Sequence, residues 1–370
     1  LSGISMKYLL MLFLLCQTML LFAEGHLFPI AVDDKVGYID STGNIIIEPQ
    51  FDTKILYYDI NINNKSLEAV RFPKNAYFSE NIATVRIGEW WWFIPLDYNY
   101  AIINPDGSII ADTKDMEIRT FKNGMAAARD PQQHFQYVYD NSFGFVNKTG
   151  EFKIFPKFQY AGDFSEGKAL VLHNNYYGYL DTYGKFVIEP VFKDAYHFSG
   201  GLAPVKNETL FGYINEIGKM IIDEQFIKAW PFNDGVARVY DGKHFRYINK
   251  AGKYITDNSF SAASDFSDGL AKVIVNGKAD FINTSGDMAI PPEYDNATSF
   301  NDGVAAVEVN GLWGFIDMKG QIILEPKYDF ANNFQKGLAE VWIEDEMYYI
   351  DINGEIISRV FWDTTTFLWW

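Results

Sequence analysis

A glycine recurs along this chain at a fixed spacing, and this repeat constrains the fold more than any other feature of the sequence. From Gly150 onward successive copies are 34 residues apart, and the two earlier steps are 64 and 43 residues. An Asp or Asn stands three residues before every copy. The chain is therefore predicted to repeat one small unit nine times. The nine glycines are Gly43, Gly107, Gly150, Gly184, Gly218, Gly252, Gly286, Gly320 and Gly354.

Each glycine separates two stretches that have the composition of β-strands. Phe315-Ile316 precedes the copy at Gly320, and the apolar run 322–324 follows it. An Asx residue that opens a turn can accept hydrogen bonds from the backbone amides ahead of it, and a glycine three residues later tolerates positive φ. A proline such as Pro326 then ends the second strand, because proline cannot donate to a ladder. The pattern predicts nine β-hairpins with the nine glycines as structural turn residues.

A second motif, Phe-x-x-Gly-x-Ala, lies between successive hairpins, as in residues 334–339. An apolar residue such as Val341 follows the alanine two places later, which is the period of a half-buried strand. We expect this strand to close the unit that begins with the preceding hairpin. The sequence thus predicts an all-β fold of three-stranded antiparallel meanders, each of about 34 residues.

Together these motifs resemble the bacterial WG-repeat family over roughly residues 36–362. Trp313-Gly314 carries the name-giving dipeptide intact, and other copies hold a different residue before the glycine. The resemblance implies a repeat scaffold without shared catalytic residues. Four copies replace the glycine outright, at Ala101, Arg246, Asp280 and Tyr348.

We expect the array, residues 24–362, to be open and curved or superhelical, with a closed β-propeller as the alternative. Propellers close by sharing one blade between the two termini. Both ends of this array finish with a complete hairpin, which leaves the ninth copy redundant in such a closure. The first two units carry insertions, and the two that lengthen the same connection should project from one face. The insertions are residues 53–77, 86–99 and 129–138.

The beginning of the chain has the composition of an export signal. Met6-Lys7 is followed by the apolar run Tyr8–Phe22, which is short for a transmembrane helix. We predict cleavage after Ala23, with residues 1–5 as an upstream extension and a retained N-terminal anchor as the alternative. Cys16, the single cysteine, lies in this run, so the mature chain would form no disulfide. The prediction is an exported protein, periplasmic or secreted, without membrane insertion after cleavage.

Composition and motifs exclude several function classes. The formal net charge of −17 disfavours nucleic acid and anionic lipid as partners, because both carry negative charge. The sequence has no nucleophile motif, no phosphate-binding loop and no metal-ligand spacing among its five histidines. Most acidic residues fall at repeat positions, which is typical of a structural role. We therefore predict no catalytic residue, no metal site and no cofactor.

The candidate ligand-binding residues lie in the extensions of the first two units. Trp90, Trp91 and Trp92 stand in one extension, and His134 and Phe135 in the other. Exposed aromatic faces suit sugar rings or peptide side chains, although terminal repeats also use such residues to cap an array. A further aromatic tail occupies residues 363–370.

These observations predict a non-enzymatic, exported protein-interaction scaffold of the cell envelope or exterior, whose partner is an envelope protein or glycan. One alternative is a carbohydrate- or peptidoglycan-binding protein that uses Trp90–Trp92. Another is a glycoside hydrolase-like enzyme with an unrecognised carboxylate pair, since two carboxylates suffice for that reaction.

Overall fold

The computed structural model describes residues 26–32, 35–52, 56–62, 65–71, 78–91, 94–114, 116–129, 142–344 and 346–362. They form small antiparallel sheets that we call blades 1 to 9, one around each of the nine hairpins. A single residue pair joins blades 1 and 2 into one seven-stranded sheet. The blades follow one another around a ring.

Blades 1 and 2 are three-stranded, and an extra hairpin lies between them in the chain. Blade 1 contains β1 (Phe28–Val32), β2 (Lys35–Ile39) and β3 (Ile45–Asp52). The extra hairpin contains β4 (Leu56–Ile62) and β5 (Lys65–Arg71). Blade 2 contains β6 (Ala83–Trp91), β7 (Ile94–Ile103) and β8 (Ile109–Lys114).

Blades 3, 4 and 5 have four strands each. Blade 3 contains β9 (Glu117–Ile118), β10 (Met125–Arg129), β11 (Phe143–Asn147) and β12 (Phe152–Phe158). Blade 4 contains β13 (Tyr160–Ser165), β14 (Lys168–His173), β15 (Tyr176–Asp181) and β16 (Phe186–Phe192). Blade 5 contains β17 (Asp194–Ala195), β18 (Leu202–Lys206), β19 (Phe211–Asn215) and β20 (Met220–Phe226).

Blades 6 and 7 have three strands each, and blades 8 and 9 have four. Blade 6 contains β21 (Lys228–Ala229), β22 (Val236–Tyr240) and β23 (Phe245–Asn249), and blade 7 contains β24 (Leu270–Val275), β25 (Lys278–Asn283) and β26 (Met288–Tyr294). Blade 8 contains β27 (Asn296–Ala297), β28 (Val304–Val309), β29 (Leu312–Asp317) and β30 (Ile322–Tyr328). Blade 9 contains β31 (Phe330–Gln335), β32 (Leu338–Ile343), β33 (Glu346–Ile350) and β34 (Ile356–Arg359), and β35 (Phe361–Trp362) follows it.

The turn chemistry of the hairpins follows from the Asx-to-glycine spacing. In blade 4 the Asp181 carboxylate accepts hydrogen bonds from the backbone N–H groups of Tyr183 and Lys185, each at 2.9 Å. The Gly184 N–H donates to the Asp181 carbonyl oxygen at 3.0 Å. All nine turn glycines have φ between 75° and 87°, a region in which a Cβ is strained.

The core lies between neighbouring blades. In the cluster between blades 4 and 5, Tyr179 and Ile188 of one blade pack with Phe198 and Val205 of the next. The rings of Tyr179 and Phe198 are 4.8 Å apart, and the Tyr179 hydroxyl donates to a carbonyl oxygen of blade 5 at 2.8 Å. Each blade therefore buries both faces of its sheet only when it has a neighbour on each side.

The open array that we expected is wrong, because the last blade packs on the first. The Ala31 N–H in β1 donates to the Val360 carbonyl oxygen at 2.8 Å, and β35 pairs with β1. The Tyr349 hydroxyl of blade 9 donates to the Pro29 carbonyl oxygen at 3.1 Å, as tyrosines at the same position do between other blades. The fold is a closed, nine-bladed β-propeller, which is the alternative to the open array.

The error came from the phase assigned to the repeat, that is, from the choice of the strand that begins each unit. We expected the Phe-x-x-Gly-x-Ala strand to close the unit that precedes it, but in the structure it pairs with the hairpin that follows, as Ala169 in β14 pairs with Leu180 in β15. With this phase the ninth hairpin completes blade 9. The segment after it, β35, then lies beside β1 and supplies an inner strand to blade 1. The ninth copy is therefore not redundant.

The direction of the strands gives the ring two distinct faces. The nine Asx-Gly turns lie on one side, the lower face. The loops between second and third strands and the links between blades lie on the other, the upper face. Gln159 in a link and Asn175 in a loop meet there, joined by two hydrogen bonds of 2.8 Å.

Candidate functional site

The predicted ligand-binding residues are only partly placed by the structure. The backbones of Trp90 and Trp91 end strand β6, paired with Pro95 and Ile94 of β7 at the tip of a long hairpin. Trp92, His134 and Phe135 lie outside the described residues, as do the predicted signal peptide and the tail 363–370. Ligand binding at these residues stays a prediction.

A candidate site that sequence reasoning missed is a cleft on the inner wall of the ring. The fourth strands expose alternate side chains at the periphery, whereas the first strands of consecutive blades lie side by side. The first strands of blades 3, 4 and 5, the links that lead into these blades and the start of the third strand of blade 4 line a cavity of about 790 Å³, which we call the inner-wall cleft. Its principal side chains are Glu117, Arg119, Tyr160, Asp163, Tyr177, Asp194, Tyr196 and His197.

Three tyrosines form an aromatic wall in the inner-wall cleft. The rings of Tyr160 and Tyr177 are 6.4 Å apart and meet edge to face at 70°. The ring of Tyr196 lies 6.0 Å from that of Phe211. Burial, with a smaller effect of the Asp194 carboxylate, raises the pKa of both Tyr177 and Tyr196 above the usual value. These phenols therefore stay protonated near neutral pH and can donate hydrogen bonds.

The charged groups of the cleft are largely paired. Glu117 contacts Arg129 at 2.5 Å, and Asp194 contacts Lys206 at 3.1 Å. The Arg119 guanidinium donates to the Ala161 carbonyl oxygen at 2.8 Å. It also lies over the rings of Phe143 and Tyr160, at 4.6 and 5.0 Å from the centroids. Arg119 is thus held in place by the next blade and by two aromatic faces.

A glycine provides the space for the cleft. Gly162 occupies the position on the first strand of blade 4 that Arg119, Tyr196 and Trp230 occupy in blades 3, 5 and 6. A Cβ at Gly162 would lie 3.5 Å or more from its neighbours, so the position has room for a side chain. Alignment of the repeats could have shown this glycine from the sequence alone, because it interrupts a column of large residues.

The chemistry available here is binding through aromatic faces and hydrogen bonds. Within the described part of the chain, no group of three or more His, Cys, Asp or Glu side chains is placed to hold a metal ion. A search of the same residues for a helix long and apolar enough to cross a membrane found none.

Nine blades closed around an axis define a β-propeller. The structure is similar to the crystal structure of a eukaryotic initiation factor, with a TM-score of 0.60 and 12% identity over 91% of this chain and 96% of that chain. It also matches BamB from Moraxella catarrhalis, with a TM-score of 0.40 and 11% identity over 74% of this chain and 95% of that chain. At these identities the first likeness shows the fold alone, and the second is too weak to carry an argument.

The family follows from the sequence itself. Seven segments match the model of the WG containing repeat family: residues 37–53, 143–177, 177–208, 211–243, 245–278, 281–313 and 313–343. Because these segments cover more than half of the chain, the protein belongs to this family, and the predicted resemblance is confirmed. A search of curated proteins found no match.

Proposed function

We propose that this WG-repeat propeller is a non-enzymatic scaffold that binds a partner protein of the cell envelope or exterior through its upper face. The observation that supports this is where the insertions occur. The hairpin of β4 and β5 lies in the link between blades 1 and 2. The long hairpin of β6 and β7 and the segment between β10 and β11 join the second and third strands of blades 2 and 3. All three connections start and end at strand ends on the upper face of consecutive blades.

The lower face is uniform by comparison, because each of its nine turns repeats the same Asx-to-glycine spacing. Variation that is confined to one face of a rigid scaffold is typical of a binding surface, since loops carry specificity while the sheets hold them in place. The formal net charge of −17 favours a partner with a basic surface.

A link replacement tests this function. Regular blades are joined by five residues, such as 193–197 between Phe192 and Phe198. We expect a variant whose residues 52–77 are replaced by this five-residue link to lose at least about tenfold of the envelope protein captured by the wild type. The control carries Lys319→Gln and Asn353→Lys, two substitutions at exposed lower-face positions that together leave the net charge unchanged.

Capture is measured by quantitative mass spectrometry of proteins recovered from an envelope extract, after matched circular dichroism spectra. Equal capture by the link variant and the control, or no protein above a blank matrix, would contradict the proposal.

The predicted export is read from the same preparation. The intact mass of the recovered protein should be that of a chain that begins after Ala23. A full-length chain confined to the cytosol would contradict the predicted export.

A further inference from the structure

We infer that the inner-wall cleft is a binding site for a neutral oligosaccharide. This site is separate from the three insertions, because the described residues that line it lie mainly in the first strands of blades 3, 4 and 5, in the links that lead into these blades and at the start of β15. It also differs from the earlier expectation of carbohydrate binding, which rested on Trp90–Trp92. The inference does not depend on the proposed scaffold function.

The first support comes from the tyrosine hydroxyls. Elsewhere in the ring, buried tyrosines at one repeat position donate to a carbonyl of the next blade, as Tyr179, Tyr213 and Tyr247 do at 2.6 to 2.9 Å. Among the residues that the structure describes, no such partner is found for the hydroxyls of Tyr160, Tyr177 and Tyr196. All three tyrosines line the same cavity, so their hydroxyls are available to a ligand that carries many hydroxyl groups.

The second support comes from the shape of the wall. The edge-to-face pair of Tyr160 and Tyr177 and the ring of Tyr196 present flat apolar surfaces between polar groups. A sugar ring has the same division, with C–H groups on its faces and hydroxyls around its edge. The cavity of about 790 Å³ lies within the range of roughly 300–1,000 Å³ that small-molecule sites occupy. It therefore suits a short oligosaccharide.

The third support is electrostatic and selects an uncharged ligand. The Glu117 and Asp194 carboxylates are each neutralised by a cation, Arg129 and Lys206. Arg119 and Lys122 add two positive charges to the lining, and Asp163 adds one negative charge. With one surplus positive charge the lining does not attract a strongly cationic ligand and attracts an anionic one only weakly, whereas carboxylate and guanidinium groups can still hydrogen-bond sugar hydroxyls.

Two variants remove the site by different means. Gly162→Trp fills the cleft with the side chain that blade 6 carries at the equivalent Trp230, so it is compatible with the fold. Tyr177→Phe removes one hydroxyl and keeps the ring. The matched control is Tyr183→Phe in the same blade, because Tyr183 lies in a lower-face turn and is 91% exposed.

The experiment is isothermal titration calorimetry of the full chain with chitotetraose, cellotetraose and maltotetraose. We expect at least one tetrasaccharide to bind with a Kd of about 0.1–1 mM. Gly162→Trp should weaken that affinity at least about tenfold and Tyr177→Phe about three- to tenfold, while Tyr183→Phe leaves it unchanged.

Three results would overturn the inference. The first is no heat of binding with any of the three sugars up to about 10 mM. The second is equal affinity in the wild type and in a folded Gly162→Trp or Tyr177→Phe variant. The third is binding of tetralysine, but of none of the sugars, that Gly162→Trp abolishes, since the cleft would then be a site for basic peptides. None of these outcomes bears on capture through the link of residues 52–77.

Discussion

Replacing Gly178 by Ala is expected to destabilise the propeller by about 2–3 kcal/mol, one of the two largest effects that the structure predicts. Gly178 lies opposite the fourth strand of its own blade. A Cβ there would lie 2.7 Å from the Pro190 nitrogen and 2.8 Å from the Ile188 carbonyl oxygen. Both are backbone atoms that cannot move without displacing β16. Urea denaturation of the wild type and the variant measures the difference.

Gly162→Ala in the same blade is the matched control for this prediction. Neither glycine has positive φ, but a Cβ at Gly162 has ordinary contacts of 3.5 Å or more. We expect its free energy of unfolding to stay within about 0.5 kcal/mol of the wild type. If the two variants lost the same stability, the close approach at Gly178 would not be the cause.

The second large effect is a pH-dependent loss of folding stability caused by Asp280, which replaces the WG glycine in blade 7. The side chain is fully buried, and one of its carboxylate oxygens has no hydrogen-bond partner among the described residues. Burial raises the pKa of Asp280 to about 6, partly offset by a hydrogen bond of 2.6 Å from the Phe281 N–H. The neutral acid is thus the form that the fold tolerates.

Because the pKa is higher in the folded than in the unfolded state, this group reduces stability as the pH rises from about 4 to above 6. The loss amounts to about 3 kcal/mol when the shift is converted at about 1.4 kcal/mol per pKa unit. Asp280→Asn should therefore gain stability relative to the wild type at pH 8 and gain little at pH 4. Thermal unfolding of both proteins across this range isolates the effect, since the other carboxylates are common to both. A stability difference that does not change with pH would contradict it.

The hairpins and the family could be predicted from the sequence because their signals are local. An Asx residue and a glycine three residues apart determine one turn, whatever the rest of the chain does. The closure of the ring has no such signal. It depends on pairing between Ala31 and Phe361, which lie at opposite ends of the array. Strand pairing is set by the whole ring, and so the phase of the repeat could not be read from one unit.

The copies in which the WG glycine is replaced show which structural effects can be predicted from one repeat alone. Their divergence is visible in the sequence, but its structural consequence differs between copies. In blade 6, where Arg246 stands at the glycine position, the fourth strand is reduced to isolated bridges, such as Phe245 with Phe260. In blade 7 the fourth strand, β26, persists beside the buried Asp280. Whether a large side chain displaces a strand depends on packing that no single repeat contains.

The inner-wall cleft was missed for a related reason. A run such as Trp90–Trp92 is conspicuous in the sequence, whereas Tyr160, Tyr177 and Tyr196 come from separate strands and individually resemble core residues. Tyr160 and Tyr177 flank Leu172 in the sheet of blade 4, and the segment that follows β17 in blade 5 brings Tyr196 to the same cavity. The missing side chain at Gly162 is the one local signal, and it becomes informative only after the repeats are aligned.

The closed ring is the central claim, and a distance measurement between spin labels tests it most directly. Thr42 in blade 1, Lys319 in blade 8 and Asn353 in blade 9 occupy equivalent, exposed turn positions. After Cys16→Ser, which removes the single cysteine, two doubly labelled proteins are compared by electron–electron double resonance. Labels at 319 and 353 give the spacing of adjacent blades. The closed propeller predicts the same distance between labels at 42 and 353, and an open array would separate them by eight blade steps.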